Sequence, residues 1–407
     1  MWRRAGVFSI LLVSLQAVAI SFGFKREPAW GGRVPVTPGH LARAAQSAGF
    51  SVKEVCVDAP SAVRSRYPFQ TAAYSDPRLS HLRERHRLAD IVRDAPNEWT
   101  AQLQLKEWVY RAIPGGNPRV AADQAARILE EAARGEKFYC THYTITYVEC
   151  ALALGWQARR VGVDRRHGPR GMDSTHHGVA EVWSNQFGKW VVVDSQSNLH
   201  FEKEGLPLSA WEIRSEWLRD GGRQVAHVVG VPPQAVRKNP AIVWWDRKDE
   251  DETATYFWVY VEDDVFTRAD RSNLHYLFPQ DRHNQGLVWY QNDDELQAGV
   301  LHYGYRKNRF LPTWSLEDVY WTVGITEVFL EEVSPGALQV KLESYCPNRT
   351  AFEARRGDGT WEALPEEALW WKLKPGVNRL QLRTASQGGH TGPQASLYLN
   401  LEQQTGP

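Results

Sequence analysis

The sequence lacks an excess of charge of either sign. Its 407 residues include 48 basic and 48 acidic side chains, so the formal net charge is zero, and no long run of one sign occurs. A nucleic-acid-binding protein normally carries a basic stripe that neutralises phosphates, so we expect no nucleic-acid partner. Low-complexity segments and fixed-period repeats are also missing. The apolar fraction of 43% is ample for packed cores, and the length predicts two or three domains.

Cysteine is scarce, with four residues in the chain. Cys140 and Cys150 lie in one predicted helix, about 15 Å apart along its axis, which is too far for a disulfide. A bridge between Cys56 and Cys346 stays open, because the two lie in different predicted regions and nothing local supports their pairing. We therefore assign no disulfide framework and leave the thiols free.

Long apolar runs are missing except at the N-terminus. Two arginines precede an apolar run over residues 7–24, and Ala17 and Ala19 form an A-x-A-like cleavage site. This pattern predicts a signal peptide over residues 1–24. The run is near the lower limit for a membrane span, so an uncleaved anchor is the competing interpretation. In either case we expect a secreted or periplasmic location, with membrane contact only through this segment.

The sequence pattern turns helical from Leu79 onward. Asn97 is a good N-cap for a helix that ends before Pro114, and a second helix stops at Gly135. A third helix is predicted from Cys140 to Leu154. Because this helix is apolar on nearly all sides, we expect it to be buried.

Strand-like segments follow these helices. They are Ala158–Asp164, His177–Trp183 and Lys189–Ser195. A polar loop over residues 165–175 separates the first two, and a turn at 185–188 joins the second and third as a hairpin. Helices followed by an antiparallel sheet predict an α+β domain over residues 78–235, including a short helix near 210–219.

The remaining regions carry β-type patterns. Residues 25–77 are predicted to be an N-terminal extension with one β-like stretch, Ser51 to Val57. Residues 236–310 form an aromatic-rich β connecting region, and the sequence leaves open whether this region belongs to the α+β domain. Short alternating strands with turn signals predict an all-β sandwich over residues 311–407.

Three residues of the α+β domain are the types that nucleophilic catalysis needs. Cys140 stands at a helix N-terminus, where unsatisfied N–H groups and the helix dipole stabilise a thiolate. His177 opens one strand of the hairpin and Asp194 ends the next, so their side chains can meet. We predict Cys140 as the nucleophile, His177 as its base and Asp194 as the group that orients the histidine. We predict no cofactor and no metal.

Several neighbouring residues have simpler interpretations. Cys150 lacks catalytic partners and is predicted to be a core residue. His176 should face away from His177, because strand residues alternate. His142 lies near Cys140, but no second C-x-x-C or H-x-x-x-H spacing supports a zinc site. Arg159 is left open between a structural and a substrate-facing role.

The eighteen tryptophans are mostly assigned to cores. The pairs Trp244-Trp245 and Trp370-Trp371 could stack on sugars, since one member of each pair should face outward.

The segment that begins at Cys140 resembles the nucleophile helix of the transglutaminase-like superfamily. That family shows a cysteine, about four turns of buried helix, and a Gly-Ile-Pro-Ala-Arg sequence entering a strand. Gly155, Ala158 and Arg159 stand where the glycine, alanine and arginine of that sequence stand.

The hairpin adds two further motifs of the same family. His177-Gly-Val-Ala-Glu-Val-Trp183 resembles the family's His-Ala-Trp-x-Glu-Val-aromatic strand, and Trp190-Val-Val-Val-Asp194 resembles its Trp-x-x-x-Asp strand. The departures are Phe138-Tyr139 before the cysteine, Val179 in place of a tryptophan, and Ser195 in place of a proline. The resemblance covers roughly residues 78–220 and implies a papain-like transglutaminase core with a Cys-His-Asp triad.

The resemblance implies acyl transfer through a thioester, with a protein or peptide amide as the substrate. Water as the acceptor makes a protease or amidase, and a lysine amine makes a cross-linking enzyme. Hydrolysis is preferred, because nothing in the sequence indicates a site that excludes water. The alternative is a catalytically silent scaffold whose β-sandwich binds a cell-wall glycan or a partner protein.

Overall fold

The computed structural model describes residues 34–66, 71–164, 176–220, 223–238, 260–262, 287–290, 310–313 and 316–404. The fold belongs to one compact unit, Pro35–Pro407. The predicted export signal at residues 1–24 lies outside the described residues. Among the helices of the described ranges, none is both long enough and apolar enough to cross a membrane.

The described part contains both helices and antiparallel sheets, which confirms the predicted α+β class. The helices are α1 (Pro38–Ser47), α2 (Pro77–Arg85), α3 (Leu88–Val92), α4 (Glu98–Ala112), α5 (Ala125–Ala133), α6 (Cys140–Ala153) and α7 (Ala210–Asp220). The strands are β1 (Phe50–Asp58), β2 (Ala158–Asp164), β3 (His176–Ser184), β4 (Lys189–Asp194), β5 (Leu199–Lys203), β6 (Leu206–Pro207), β7 (Ala226–Val229), β8 (Val236–Lys238), β9 (Tyr260–Glu262), β10 (Leu287–Tyr290), β11 (Phe310–Thr313), β12 (Glu327–Ser334), β13 (Ala337–Glu343), β14 (Arg349–Arg356), β15 (Glu362–Ala363), β16 (Ala368–Lys372), β17 (Gly376–Ser386) and β18 (Ala395–Gln403).

The helices begin and end at the predicted signals. The side chain of Asn97 accepts the N–H of Thr100 at 2.9 Å and so caps α4. Gly135, just beyond α5, has a left-handed φ of 90° that ends the helix. Helix α6 is one residue shorter than predicted and is buried from His142 onward. Its burial follows from an apolar surface on nearly all sides.

A ten-stranded sheet contains the predicted hairpin. Its order is β11-β10-β9-β2-β3-β4-β5-β7-β8, with β6 paired to β5. Strand β2 has the predicted bounds, and β3 and β4 differ from the prediction by single residues at their ends. Within the hairpin, Trp183 pairs with Trp190. Helix α6 packs against β2 and β3, which brings its N-terminus to this sheet.

Strands from the predicted connecting region extend the same sheet. β9 pairs with β2, and β10 pairs with β9. The described parts of residues 236–310 therefore pair with the sheet of the α+β domain. Residues 239–259, 263–286 and 291–309 lie outside the described part. The domain boundaries at 235 and 310 stay a prediction.

The ten-stranded sheet has one parallel pair, β10 with β11, whereas two further sheets, built mainly from C-terminal strands, are antiparallel throughout. One has the order β1-β18-β17-β14-β15 and the other the order β12-β13-β16. Buried residues of both sheets and of α1 belong to one hydrophobic cluster. In β13, Leu338, Val340 and Leu342 are buried and alternate with half-buried residues, as the sequence pattern predicts.

The predicted N-terminal extension contributes to these C-terminal sheets. The β-like stretch from Ser51 to Val57 is confirmed as part of β1, which pairs antiparallel with β18, placing Val55 opposite Leu399. Helix α1 packs against β1 and β12. The extension therefore supplies both a helix and an edge strand to the C-terminal region.

A tryptophan cluster joins the hairpin to the segment before β12. Trp190 packs edge-to-face on Trp183 and on Trp321, with ring centroids 5.8 and 5.4 Å apart. The indole N–H of Trp190 donates to the carbonyl of Trp321 at 2.7 Å. Val319, Val323 and Ile325 complete this buried cluster.

Candidate active site

Cys140 is the first residue of α6, and its side chain is partly exposed. The first turn of a helix leaves N–H groups unsatisfied, so this position favours a thiolate. Tyr139 is the N-cap and makes no side-chain capping bond. Phe138 is fully buried, and its backbone bonds to Pro114 and Gly116 are 2.9 Å long. These bonds fix the entry of the chain into the helix.

His177 and Asp194 come from the two strands of the hairpin. Both are buried, with exposed fractions of 5% and 1%. Nε2 of His177 lies 3.2 Å from Oδ2 of Asp194. The side chain of Cys140 is hydrogen-bonded to the same imidazole. The fold thus brings together the three residues that the sequence singles out.

Asp194 is held by the turn that follows it. Its Oδ1 accepts the backbone N–H groups of Gln196 at 2.9 Å and Ser197 at 3.1 Å. The other oxygen, Oδ2, faces His177. Because one oxygen is held by the backbone, the carboxylate has a defined orientation toward the imidazole. Ser195, where the resembling family has a proline, is buried in this turn.

The surroundings of His177 favour its protonated form. Burial alone lowers the pKa of His177, but the charge and hydrogen bond of Asp194, followed by those of Cys140, raise it to about 9. Nε2 faces Asp194, which leaves Nδ1 as the ring nitrogen for Cys140. An imidazolium beside a thiol favours the thiolate. At neutral pH this geometry can hold a thiolate–imidazolium pair.

Lys106 of α4 is a site residue that sequence reasoning missed. Its side chain is fully buried, and burial lowers the pKa of its amine to about 7, against the charge of Asp194, which raises it. The sequence does contain a signal. Lys106 stands three residues from both Leu103 and Val109 on the buried face of α4. A lysine in that position needs a polar partner.

Tyr143 of α6 also lies beside the site. Its hydroxyl donates to the carbonyl of Ile113 at 2.5 Å. Burial is the main cause that raises the pKa of Tyr143 to about 12, and the charge of Asp194 contributes. The phenol is therefore neutral and ties the first turn of α6 to the end of α4.

Gly178 sets how closely β3 approaches the first turn of α6. A Cβ at this position would lie 3.4 Å from Oγ1 of Thr144 and 3.6 Å from Cα of Thr141. Oγ1 of Thr144 in turn donates to the carbonyl of Cys140 at 3.0 Å. The strand that carries His177 thus lies directly against the turn that carries Cys140.

We expect Gly178→Ala to keep the reactivity of Cys140 and Gly178→Val to lower it about 100-fold. A methyl group fits at ordinary contact distances, whereas a branched side chain pushes β3 away from α6. A misplacement of about 1 Å in a reacting group is worth about 100-fold. The measurement is the rate constant for alkylation of Cys140 by iodoacetamide at pH 6. Equal rates for the two variants would contradict this close packing.

Arg159 is buried in the core, which settles its open role as structural. Its Nε and Nη2 donate to Oε2 of Glu181 at 3.0 and 2.7 Å, and Nη1 donates to a backbone carbonyl. The guanidinium lies 4.1, 4.9 and 4.7 Å from the ring centroids of Trp190, Tyr320 and Trp321. A cation enclosed in this way is not presented to a substrate.

None of the four cysteines forms a disulfide, so Cys56 and Cys346 are not bridged. Cys150 is fully buried, and burial raises the pKa of its thiol. His142 contacts the rings of Phe138 and Tyr139, with centroids 4.7 and 4.5 Å away. Across the described ranges, no group of three or more His, Cys, Asp and Glu is arranged to hold a metal ion.

The two tryptophans of the Trp370-Trp371 pair differ in exposure. Trp370 is 43% exposed and Trp371 only 3%, which confirms that the two face opposite ways on β16. Trp244-Trp245 and the loop at 165–175 lie outside the described residues, as does the side chain of His176.

Comparison with known proteins gives distant similarity to solved structures. No protein-family profile matches the chain, and no curated protein sequence matches it. Among solved structures, the chain is similar to red sea bream transglutaminase, with 12% sequence identity and a TM-score of 0.24. The similarity covers 74% of this chain and 54% of that one, so the chain spans about half the length of the fish protein. At this TM-score the similarity defines neither the activity nor the substrate.

Proposed function

We propose that this protein is a transglutaminase-like cysteine enzyme that cleaves or transfers an acyl group from an amide. The observation that carries the proposal is the position of His177, 3.2 Å from Asp194 and hydrogen-bonded to Cys140. In this proposal the helices and the ten-stranded sheet form a papain-like core. The two C-terminal sheets form an appended β-sandwich.

The proposed reaction proceeds through a thioester. The thiolate of Cys140 attacks the amide carbonyl, and the protonated His177 gives its proton to the leaving amine as the C–N bond breaks. Water or an amine then attacks the thioester, His177 accepts the proton of that nucleophile, and the thiolate of Cys140 leaves. Asp194 holds the imidazole in place and stabilises its positive charge in both steps.

Hydrolysis is the preferred outcome, with a protein or peptide amide as the substrate. Cys140 is partly exposed, and Tyr139 beside it is 44% exposed, so water can reach a thioester at this position. A transferase must protect its thioester from water. We also propose export through the N-terminal apolar run, which places the substrate outside the cytoplasm.

A silent scaffold that binds a glycan or a protein is the second candidate. The observation that favours it is the exposed indole of Trp370 on β16. Exposed aromatic rings on a sheet can stack on sugars.

Alkylation of the intact chain by iodoacetamide separates the two candidates. At pH 6 we expect Cys140 to react at least about 10-fold faster than Cys56, because the imidazolium of His177 favours the thiolate of Cys140. Cys56 is the matched control, since it is a cysteine of β1 that is more exposed than Cys140. Peptide mass spectrometry gives both rates in one sample.

The rate advantage of Cys140 should also depend on pH. The pKa of His177 is about 9, so its positive charge is present below that pH and lost above it. The ratio of the two rates should therefore be largest in mild acid and shrink above pH 9. A Cys140 that reacts more slowly than Cys56 at pH 6 would reject the enzyme proposal and leave the scaffold.

A further inference from the structure

The turn after β4 decides where Asp194 points. Two of its N–H groups hold Oδ1 of Asp194, and the turn ends at Asn198, which has a left-handed φ of 52°. Asparagine is one of the few non-glycine residues that adopt this conformation readily, so Asn198 suits the end of the turn. The carbonyl of Asn198 accepts the N–H of Gly230 at 2.9 Å, so a second turn, after β7, braces the first.

The amine of Lys106 is bonded to both of these turns. Nζ donates to the carbonyl of Asn198 at 2.9 Å and to the carbonyl of Gly230 at 3.1 Å. Lys106 is fully buried and Asn198 is 6% exposed. The bond to Asn198 is buried, where a hydrogen bond is stronger than in water, and the bond to Gly230 is partly buried.

We propose that Lys106 is a positioning residue, whose amine fixes the turn that presents Asp194 to His177. The inference rests on the proposed function, because it assigns Lys106 to the same triad. Lys106 touches the backbone of the turn and acts through Asp194.

The amine can fill this role in both of its protonation states. Its pKa is about 7, and the ionisable groups whose charges act on it are Asp194 from β4 and Glu107 from its own helix. A neutral amine keeps two N–H donors, which is the number that the two carbonyls require. The bonds to the turns therefore persist at the higher pH where His177 titrates.

The test is the pKa of His177 in Lys106→Met, measured by NMR titration of the full chain with labelled histidine. The variant keeps the length of the side chain and removes both bonds to the turns. If Asp194 then moves from the imidazole, we expect the pKa of His177 to fall by at least about one unit, because a neighbouring opposite charge shifts a pKa by about 1–3 units. His177→Gln identifies the signal.

Lys189→Met is the matched control. Lys189 lies at the opposite end of β4, and its Nζ also donates to a backbone carbonyl, that of Pro207, at 2.9 Å. This variant should leave the pKa of His177 unchanged. Adding Lys106→Met to Asp194→Asn should also change nothing further, since the carboxylate through which Lys106 acts is already gone.

A pKa of His177 that stays at its wild-type value or rises in Lys106→Met would overturn the inference. Should that variant not fold, Lys106→Gln is used instead, because its shorter side chain keeps an N–H donor group. The pKa of His177 should then fall by less than in Lys106→Met. An unchanged pKa in this variant would also overturn the inference. The titration needs no substrate. If Cys140 is inert but the pKa responds as expected, the proposed enzyme fails while the positioning role of Lys106 stands.

Discussion

Replacing Cys140 by alanine is expected to abolish amide turnover while leaving the protein folded. The thiol provides the attacking sulfur, and its side chain is hydrogen-bonded to His177. Loss of the nucleophile from an intact triad lowers kcat by about a million-fold in serine enzymes, and we expect a loss of similar scale here. Since Cys140 is partly exposed, Cys140→Ala should change the free energy of unfolding by less than about 1 kcal/mol.

The measurement uses two assays on the intact chain. Fluorescent casein reports hydrolysis, and incorporation of a fluorescent primary amine into casein reports transfer. Cys150→Ala is the control, because that thiol is fully buried in the core and should affect stability but not chemistry. Turnover retained by Cys140→Ala would reject the thioester mechanism, and the ratio of the two wild-type signals decides between water and amine as the acceptor.

Local patterns predicted the parts of this site that are close in sequence. The mostly apolar residues between Cys140 and Gly155 predict the helix that Cys140 opens, and a short turn predicts that the strands of His177 and Asp194 pair. Each of these relations spans few residues, so periodicity and turn signals are enough to indicate them. Periodicity and turn signals do not predict that α6 packs against β3. That packing was predicted from the resemblance of the whole segment to one family.

Contacts between distant segments could not be predicted in the same way. The alternation of residues 51–57 indicates a strand but does not name β18 as its partner, more than 300 residues further on. Lys106 shows the same limit, because its acceptors, Asn198 and Gly230, lie in two later turns. Every residue has a backbone carbonyl, so the sequence does not indicate which carbonyls a buried lysine binds. Only the folded structure shows these hydrogen bonds.

Glu181→Ala is expected to destabilise the fold by about 3–5 kcal/mol, the range for removal of one partner of a buried ion pair. Glu181 is fully buried, and its Oε2 accepts two bonds from Arg159. Its Oε1 accepts the hydroxyl of Tyr320 at 2.9 Å and the N–H of Ala210 at 2.8 Å. The variant leaves a guanidinium without its carboxylate among the aromatic rings.

This loss should appear as a lower midpoint in urea unfolding, followed by tryptophan fluorescence because Trp190 lies in the affected cluster. Glu402→Ala is the control: its partner Lys53 is 53% exposed, and such pairs contribute under about 1 kcal/mol. The double variant Arg159→Met with Glu181→Leu should recover part of the lost stability, because no unpaired charge then stays buried. A loss of less than about 1 kcal/mol in the free energy of unfolding of Glu181→Ala would show that water reaches the Arg159–Glu181 pair. The hairpin that bears His177 would then be held by its strand pairing instead.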